Sequence, residues 1–346
     1  MVELIKVGLN GYGTIGKRVA DAVLKNSRFQ LVGIVKYTPD YSSKMAFKKG
    51  INIYVPPEKW RDFESQGVTP KGTIQEFLEE SSIIIDASPS GKGFANLSLY
   101  KAAGKPAIFQ GGEKPEVAEL SFSTYCNYDE AVGRKYLRVV SCNTTGLLRI
   151  LCVLHKEFNV KRARVLVIRR GADPKEDARG PINSIKLESV EDVSHHGKDA
   201  MLVLPNVKII SQAVVVPTTL MHVQYLDVEV ATPVIKEQVT EVLSRYARIL
   251  LVDPKKTGLD STSKLIEAAR DFLRSRNDIY ENVVFENSIL VSGNSISLIQ
   301  AIHQESIVVP ENMDALYAVA GVKLPLEKVV EETDKLLGIG GLKDVF

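Results

Sequence analysis

Cysteine and histidine are scarce in this sequence, with three and five residues in a chain of 346. The cysteines, Cys126, Cys142 and Cys152, form no Cys-x-x-Cys pair and no cysteine–histidine spacing typical of zinc proteins, so we expect no metal site. No apolar stretch approaches about 18 residues, and the first residues lack a signal-peptide pattern, which predicts no membrane association and a cytoplasmic location. The net charge of +2 provides no basic stripe for nucleic acid.

A glycine motif follows the first predicted strand. The mainly apolar segment Leu4–Leu9 leads into Asn10–Gly16, and a helical pattern follows. In this strand–turn–helix setting, Gly11 permits a tight turn, Gly13 lets the backbone approach a pyrophosphate, and Gly16 allows close helix–strand packing. The motif therefore predicts a dinucleotide site; the alternative is a glycine turn that serves packing alone.

The second predicted strand, Gln30–Val35, ends at Lys36, where NAD-specific folds place an acidic residue. A carboxylate would repel the 2′-phosphate of NADP, whereas the ammonium group of Lys36 followed by Thr38 would attract it. We therefore expect NADP to be accepted and preferred, with NAD used as well. The alternative is a lysine that is only solvated.

The chain is longer than most single-core domains and its composition is ordinary for a globular protein, which favours two domains. The fold class we expect is α/β, with a Rossmann dinucleotide-binding domain at residues 1–140 and 304–346. After residue 141 the predicted strands become longer and partly alternating, which indicates an α+β catalytic domain at residues 141–303 with a mixed or antiparallel sheet. Those strands are Ala163–Arg170, Lys208–Val216, Met221–Val230 and Ser295–His303.

The segment Ser141–Gly146 places Cys142 between a predicted strand, Tyr136–Val140, and a predicted helix. Free backbone N–H groups and the helix dipole would stabilise a thiolate there and lower the cysteine pKa, so we interpret Cys142 as a nucleophile. The alternative is a half-buried structural cysteine, which is the interpretation we prefer for Cys152. In a hyperthermophile, Cys152 could pair with Cys126.

Six segments of the chain together closely resemble archaeal glyceraldehyde-3-phosphate dehydrogenases, and the resemblance covers essentially the whole chain. They are Asn10–Arg18, Gln110–Lys114, Ser141–Gly146, Ser194–Gly197, Pro217–His222 and His303–Ser306. It implies an NAD(P)-dependent oxidation of glyceraldehyde 3-phosphate with inorganic phosphate, through a thiohemiacetal and a thioester on Cys142, in a homotetramer. Bacterial and eukaryotic relatives take the catalytic histidine from the strand after the cysteine, but Val167–Arg170 offers none here; the archaeal pattern points to His222 as the base.

The resemblance also implies the remaining site residues. His196 and Gly197 match a substrate-contact segment, and Ser141 and Asn143 flank the nucleophile where they could hold the carbonyl oxygen. Besides the residues named above, it implies cofactor contacts at Thr14, Ile15, Gly112, Arg170 and Gln304. Arg170 could instead clamp the substrate phosphate or belong to a structural ion pair. His155 and His303 are interpreted as structural.

Two other functions fit part of this pattern. A semialdehyde dehydrogenase would also combine a dinucleotide fold with a cysteine nucleophile, although the archaeal segments disfavour it. A non-catalytic dinucleotide sensor or a nucleic-acid-binding module could use the same fold, since a fold does not determine function. The presence of both Cys142 and His222 argues against the second alternative.

Overall fold

The structure, a computed structural model, describes residues 4–176, 178, 180–188 and 193–344. The chain divides into two compact units. The first unit comprises Met1–Phe122, Asn127–Val140 and Val309–Leu337, and the second comprises Ser123–Cys126, Ser141–Val308 and Gly338–Phe346.

The first 140 residues alternate strands with helices, the order that produces a parallel sheet. The elements are β1 (Ile5–Asn10), α1 (Thr14–Lys25), β2 (Phe29–Val35), α2 (Tyr41–Lys48), β3 (Ile53–Val55), α3 (Trp60–Ser65), β4 (Gly72–Thr73), α4 (Ile74–Glu80), β5 (Ile83–Asp86), α5 (Lys92–Ala102), β6 (Ala107–Phe109), β7 (Leu120–Phe122), α6 (Thr124–Ala131) and β8 (Tyr136–Val139). The segment around Cys126 forms the first turn of α6, which is kinked at Asn127.

All eight strands of the first unit pair in parallel, in the order β4-β3-β2-β1-β5-β6-β8-β7. The strand order reverses between β1 and β5, and doubly wound sheets bind ligands at the carboxyl ends of the strands beside such a reversal. The strands are buried and apolar, as expected of a sheet that is covered on both faces. The predicted Rossmann fold is confirmed.

The second unit contains a mixed sheet, which confirms the expected change of pattern after residue 141. Its elements are α7 (Cys142–Phe158), β9 (Val160–Arg170), β10 (Lys186–Leu187), α8 (His195–Val203), β11 (Lys208–Val216), β12 (His222–Val230), α9 (Lys236–Ser244), β13 (Ile249–Val252), α10 (Pro254–Thr257), α11 (Thr262–Asp271), β14 (Asn282–Phe285), β15 (Leu290–Ser292) and β16 (Ser295–Ile302). The sheet order is β10-β11-β9-β12-β16-β14-β13, with β15 added on β16. Strand β9 is parallel to β11 and antiparallel to β12, so the carboxyl end of β9 lies beside the start of β12.

Two helices close the chain, α12 (Val308–Val319) and α13 (Leu326–Leu337), and nearly all of both belongs to the first unit. None of the helices in the described ranges is both long and apolar enough to cross a bilayer. The expected domain bounds need correction, because three stretches assigned to the first domain group with the second unit: residues 123–126, 304–308 and 338–346. For the last stretch the physical reason is that Leu342 is buried in the apolar cluster of the second unit, and Lys343 Nζ donates to the carbonyls of Ser244 and Tyr246 at 2.8 and 2.9 Å.

A disulfide joins Cys126 to Cys152 within the second unit, with their Cα atoms 5.5 Å apart. The pairing that the sequence left open is therefore present. It ties the first turn of α6 to the middle of α7, the helix that carries Cys142 at its start. Cys142 is left as the free cysteine, and it is half-buried.

Candidate active site

Helix α7 presents Cys142 as its first residue. Ser141 caps the helix: its Oγ accepts from the Thr144 N–H at 3.5 Å and lies 2.9 Å from Thr144 Oγ1. Gly146 allows α7 to approach β16 closely, because a Cβ at that position would lie 2.2 Å from Ile302 Cδ1. Ser141, expected to contact substrate, thus has its hydroxyl committed to the cap, which leaves its substrate contact a prediction.

The environment of Cys142 differs from the one expected. Burial raises the pKa of the thiol to about 11, although the charges of Arg169 and Arg170 and a hydrogen bond from the Asn143 backbone act in the opposite direction. The negative charge of Glu305 adds to the increase. Our expectation of a lowered cysteine pKa is therefore wrong for this structure, because desolvation outweighs the helix terminus and the two guanidinium groups. At neutral pH the resting group is a thiol.

Asn143 is held by the sheet of the second unit. It is buried, and Gln224 on β12 donates from Nε2 to its backbone oxygen at 2.9 Å and to its Oδ1 at 3.3 Å. Gln224 in turn accepts from Gln300 Nε2 at 2.9 Å. The Asn143 side chain on α7 is thereby held against β12. Its backbone N–H forms a hydrogen bond with the sulfur of Cys142. We had not singled out Gln224; its only signal in the sequence is a polar residue at an inward position of an alternating strand.

His222 is the first residue of β12 and is 1% exposed. The preceding residue, Met221, has a left-handed backbone with φ of 61°, a conformation that costs about 1–3 kcal/mol and is retained where the surroundings enforce it. Nδ1 of His222 accepts from the Arg170 backbone N–H at 3.0 Å, and Nε2 is buried without a hydrogen-bond partner. The neutral ring must therefore carry its proton on Nε2.

This tautomer bears on the expected role of His222 as a general base. Burial, followed by the charges of Arg170 and Arg169, lowers the pKa of His222 well below its usual value, while the neighbouring Gln304 side chain opposes the shift. An imidazole that stays neutral and keeps its proton on Nε2 donates a hydrogen bond into the site. This resting state suits donation to a developing oxyanion, and the role of His222 as a base stays a prediction.

Arg170 organises the carboxyl end of β9. Its side chain is 1% exposed, and its guanidinium donates to Gln304 Oε1 at 2.7 Å, to the Thr219 carbonyl at 3.0 Å, and to the carboxylates of Glu305 and Asp173. Although burial raises the pKa of Glu305, His303 and Arg170 hold it well below the usual range. The structure therefore shows the ion-pair role that we considered for Arg170; cofactor contacts by Arg170 and Gln304 remain predictions.

A second cluster surrounds Arg169, the neighbour of Arg170 on β9. Arg169 pairs with Glu188 Oε1, and the Glu188 carboxylate lies 3.7 Å from His196 and 3.9 Å from His195. The positive charge of Arg169 acts on the pKa values of both histidines, of Cys142 and of His222. These groups thus share one electrostatic environment within the second unit. Neither Arg169 nor Glu188 was predicted to belong to the site. The sequence indicates them only weakly: Arg169 belongs to an Arg-Arg pair at the end of a strand, and Glu188 is an acidic residue in a long loop.

Helix α8 presents His196 from a close contact with β11. The backbone N–H of Gly197 donates to Ser211 Oγ at 3.0 Å, and a Cβ on Gly197 would lie 2.5 Å from that oxygen. Gly197 is therefore needed for packing, and His196 is 2% exposed as a result. A substrate contact by either residue remains a prediction.

The glycine motif of the first unit has the geometry that a pyrophosphate requires. Gly11 has a φ of +101°, and a Cβ there would lie 2.5 Å from the Ala87 carbonyl. A Cβ on Gly13 would meet nothing within 4 Å, so the space in front of the loop is open. Gly13 caps α1 with no side-chain hydrogen bond, and no acidic residue occupies the first turn, which contains Thr14, Ile15 and Gly16. Free N–H groups at a helix start suit a phosphate, so the residues present fit a dinucleotide.

Gly112 lies beyond the carboxyl end of β6, at the same edge of the parallel sheet as the glycine loop after β1. Its carbonyl accepts from Ser90 Oγ at 2.6 Å. The next residue, Glu113, accepts from the backbone N–H groups of Gly91 and Gly93 at the start of α5. This arrangement fixes the loop at the ligand edge and is compatible with the expected cofactor contact at Gly112.

Lys36, whose ammonium group we expected to attract the 2′-phosphate of NADP, follows β2 and is paired in this structure. Its Nζ lies 2.9 Å from Asp40 Oδ2 and 3.0 Å from Ser42 Oγ, and its side chain is 11% exposed. Although burial raises the pKa of Asp40, hydrogen bonds from Ser42, Lys36 and the Ser43 backbone lower it to about 2. A carboxylate therefore accompanies the lysine at the position that would meet the adenosine ribose.

Comparisons with known proteins identify the family of the chain. Residues 141–295 match the family described as glyceraldehyde 3-phosphate dehydrogenase, C-terminal domain. The glyceraldehyde-3-phosphate dehydrogenase of Metallosphaera sedula is 50% identical to this chain, and the match covers 97% of this chain and 98% of the relative. That of Hyperthermus butylicus is also 50% identical, and the match covers 97% of both chains. That of Aeropyrum pernix is 50% identical over 98% of both chains. The chain therefore belongs to the glyceraldehyde-3-phosphate dehydrogenase family.

Proposed function

We propose that this protein oxidises D-glyceraldehyde 3-phosphate to 1,3-bisphosphoglycerate with NAD or NADP and inorganic phosphate. The observation that carries the proposal is the free Cys142 at the start of α7, in the same unit as the neutral, buried His222. A parallel sheet with an open glycine loop in the first unit supplies the second requirement. Full-length relatives that carry the same enzyme name support the combination.

The first step is addition of the Cys142 sulfur to the aldehyde carbon. The thiol proton passes to solvent or to the phosphate dianion, because the neutral His222 already has its proton on Nε2. The carbonyl oxygen becomes an oxyanion, and donation from His222 Nε2–H stabilises it. The backbone N–H of Asn143, directed at the sulfur, favours the thiolate form of Cys142.

The glycine loop would hold NAD or NADP, whose nicotinamide would supply a hydride acceptor for the former aldehyde carbon; loss of that hydride would leave a thioester on Cys142. Phosphate oxygen then attacks the thioester carbon, and the Cys142 thiolate leaves and is reprotonated. The negative substrates need positive partners, and Arg169 is suited to this task because its Nε has no hydrogen-bond partner. We assign substrate contact to Arg169 and His196.

The test is an assay of cofactor reduction with glyceraldehyde 3-phosphate, with and without phosphate. Wild-type protein should require phosphate, and Cys142→Ser should lose nearly all activity while still binding NADP in a fluorescence titration. Turnover of a semialdehyde in preference to the triose phosphate would favour the related dehydrogenase. Cofactor binding without turnover of any aldehyde would favour the dinucleotide sensor.

The family resemblance further supports a homotetramer located in the cytoplasm. The proposal on assembly is checked by light scattering on the eluate of a sizing column, where a mass of four chains is expected. A stable monomer or dimer at micromolar concentration would contradict it.

A further inference from the structure

Three potential metal ligands meet in the second unit at the start of α8. The donor atoms of Glu188, His195 and His196 all lie within 4.8 Å of one another. His196 Nε2 is 3.7 Å from Glu188 Oε2, and His195 Nδ1 is 3.9 Å from Glu188 Oε1. Two donors on one tetrahedral zinc ion at about 2.0–2.2 Å are separated by about 3.4 Å. Small side-chain rotations would therefore bring all three donors to one ion.

The cluster contains buried polar atoms that have no partner. Both ring nitrogens of His196, which is 2% exposed, lack a hydrogen bond, and so does Oε2 of Glu188. Buried polar groups are normally satisfied, and exceptions often mark the position of a missing ion or ligand. The atoms without partners belong to His196 and Glu188, whose donor atoms lie 3.7 Å apart. The missing hydrogen bonds therefore support a ligand at this place in addition to the distances between the donors.

The chemistry of the donors selects the ion. Two imidazole nitrogens and one carboxylate oxygen suit Zn²⁺, whereas Ca²⁺ and Mg²⁺ prefer oxygen donors. Arg169, bonded to Glu188, opposes any cation, so the site should bind zinc more weakly than a closed structural site does. The side chain of His195 is 55% exposed, which gives an ion access from solvent.

We propose that Glu188, His195 and His196 form a Zn²⁺-binding site in which water completes the coordination. This inference revises our expectation of no metal site, which considered only the spacing of cysteines and histidines along the chain. Zinc bound at His196 would also compete with the phosphorylated aldehyde. That consequence rests on the proposed function, whereas the binding does not.

The test is isothermal titration of ZnCl₂ into the full chain at pH 7 in a buffer free of phosphate. We expect one ion per chain in the wild type. Loss of an outer hydrogen-bond partner weakens metal sites about 10–100-fold, so His195→Gln, which removes a ligand, should weaken binding at least tenfold. His155→Gln is the matched histidine control, and Cys142→Ser controls for zinc on the free thiol; both should bind as the wild type does.

Absence of binding to the wild type would overturn the proposal, as would unchanged binding in His195→Gln or loss of binding in Cys142→Ser. Circular dichroism on each variant excludes misfolding as the cause. A separate assay measures whether zinc raises the Michaelis constant for glyceraldehyde 3-phosphate in the wild type and not in His195→Gln. Binding without such inhibition would sustain the zinc site and contradict the substrate role proposed for His196.

Discussion

The backbone N–H of Arg170 donates to Nδ1 of His222 at 3.0 Å, between the end of β9 and the start of β12. A main-chain donor cannot change its protonation state, so it fixes the histidine tautomer more firmly than a side chain would. The proton of the neutral ring is placed on Nε2, the nitrogen left without a partner. Arg170, the last residue of β9, thereby determines which nitrogen of His222 carries the proton.

Glutamine should replace His222 better than alanine does. A Gln amide can place an N–H donor near the former Nε2, whereas loss of an oxyanion donor lowers kcat by about 10²–10³-fold. We expect His222→Ala to show a loss of that size and His222→Gln to recover part of it. Steady-state kinetics at saturating substrate provides the comparison. If both variants lose the same activity, His222 does not act as a donor.

Alkylation of Cys142 should be slow at neutral pH in the protein without ligands. Burial raises its pKa to about 11, so the thiolate fraction, and with it the reaction rate, should rise across the range from pH 8 to 10. The measurement is the pseudo-first-order rate of iodoacetamide labelling against pH, with Cys142→Ser as the blank. A rate that levels off below pH 7 would show that the thiol is activated at rest.

Folding stability should decrease as the pH falls from about 6.5 to 4. His195, His196 and His222 all have pKa values below the usual 6.5 in the folded chain, because burial disfavours their charged forms. The unfolded chain takes up protons in this window that the folded chain does not, so unfolding becomes more favourable. Urea midpoints measured at each pH would show the trend, and His196→Asn should flatten it.

Breaking the Asp40–Lys36 pair should shift cofactor preference toward NADP. In Asp40→Asn the carboxylate that accompanies Lys36 is removed, while an Asn can still cap α2 as Asp40 does. We expect the Michaelis constant for NADP to fall several-fold and that for NAD to change little. Lys36→Asp should raise the constant for NADP far more than that for NAD. Equal effects on both cofactors would place Lys36 away from the 2′-phosphate.

Removal of the disulfide should destabilise the second unit. The bond spans 26 positions, and a loop of that size corresponds to about 3.5 kcal/mol in the chain-entropy treatment. Cys126→Ala should therefore lower the melting temperature, and reductant should lower that of the wild type similarly. Cys142→Ser is the matched control, because it removes a cysteine without a bond. A melting temperature unaffected by Cys126→Ala would mean that the bond adds no stability.

The local features of this fold could be predicted from the sequence because their causes are local. The glycine spacing after β1 demands a backbone that only glycine adopts at Gly11, and apolar runs identify strands that are buried on both faces. The strand Lys208–Val216 has the predicted bounds, and Ser295–Ile302 ends one residue earlier than predicted. The helix after Cys142 was equally visible in its apolar periodicity.

Features that depend on how the side chains pack could not be predicted. Whether Lys36 is free or paired depends on the position of the Asp40 side chain. The unit to which Gly338–Phe346 belongs depends on the apolar cluster in which Leu342 is buried. The pKa of Cys142 was expected to fall, because the helix terminus is visible in the sequence while the degree of desolvation is not. Burial is a property of the packed chain.

The sequence by itself therefore determined the residue types available for chemistry, namely the cysteine at a helix start, the glycine loop and the histidines. Tertiary structure alone decided their chemical states. Pairing of β9 with β12 brings the Arg170 N–H to His222, and the packing of α8 on β11 brings His196 to Glu188. The physical reason is that protonation and hydrogen bonding respond to groups within a few ångströms, and here the groups that meet are separated by up to 52 positions in the chain.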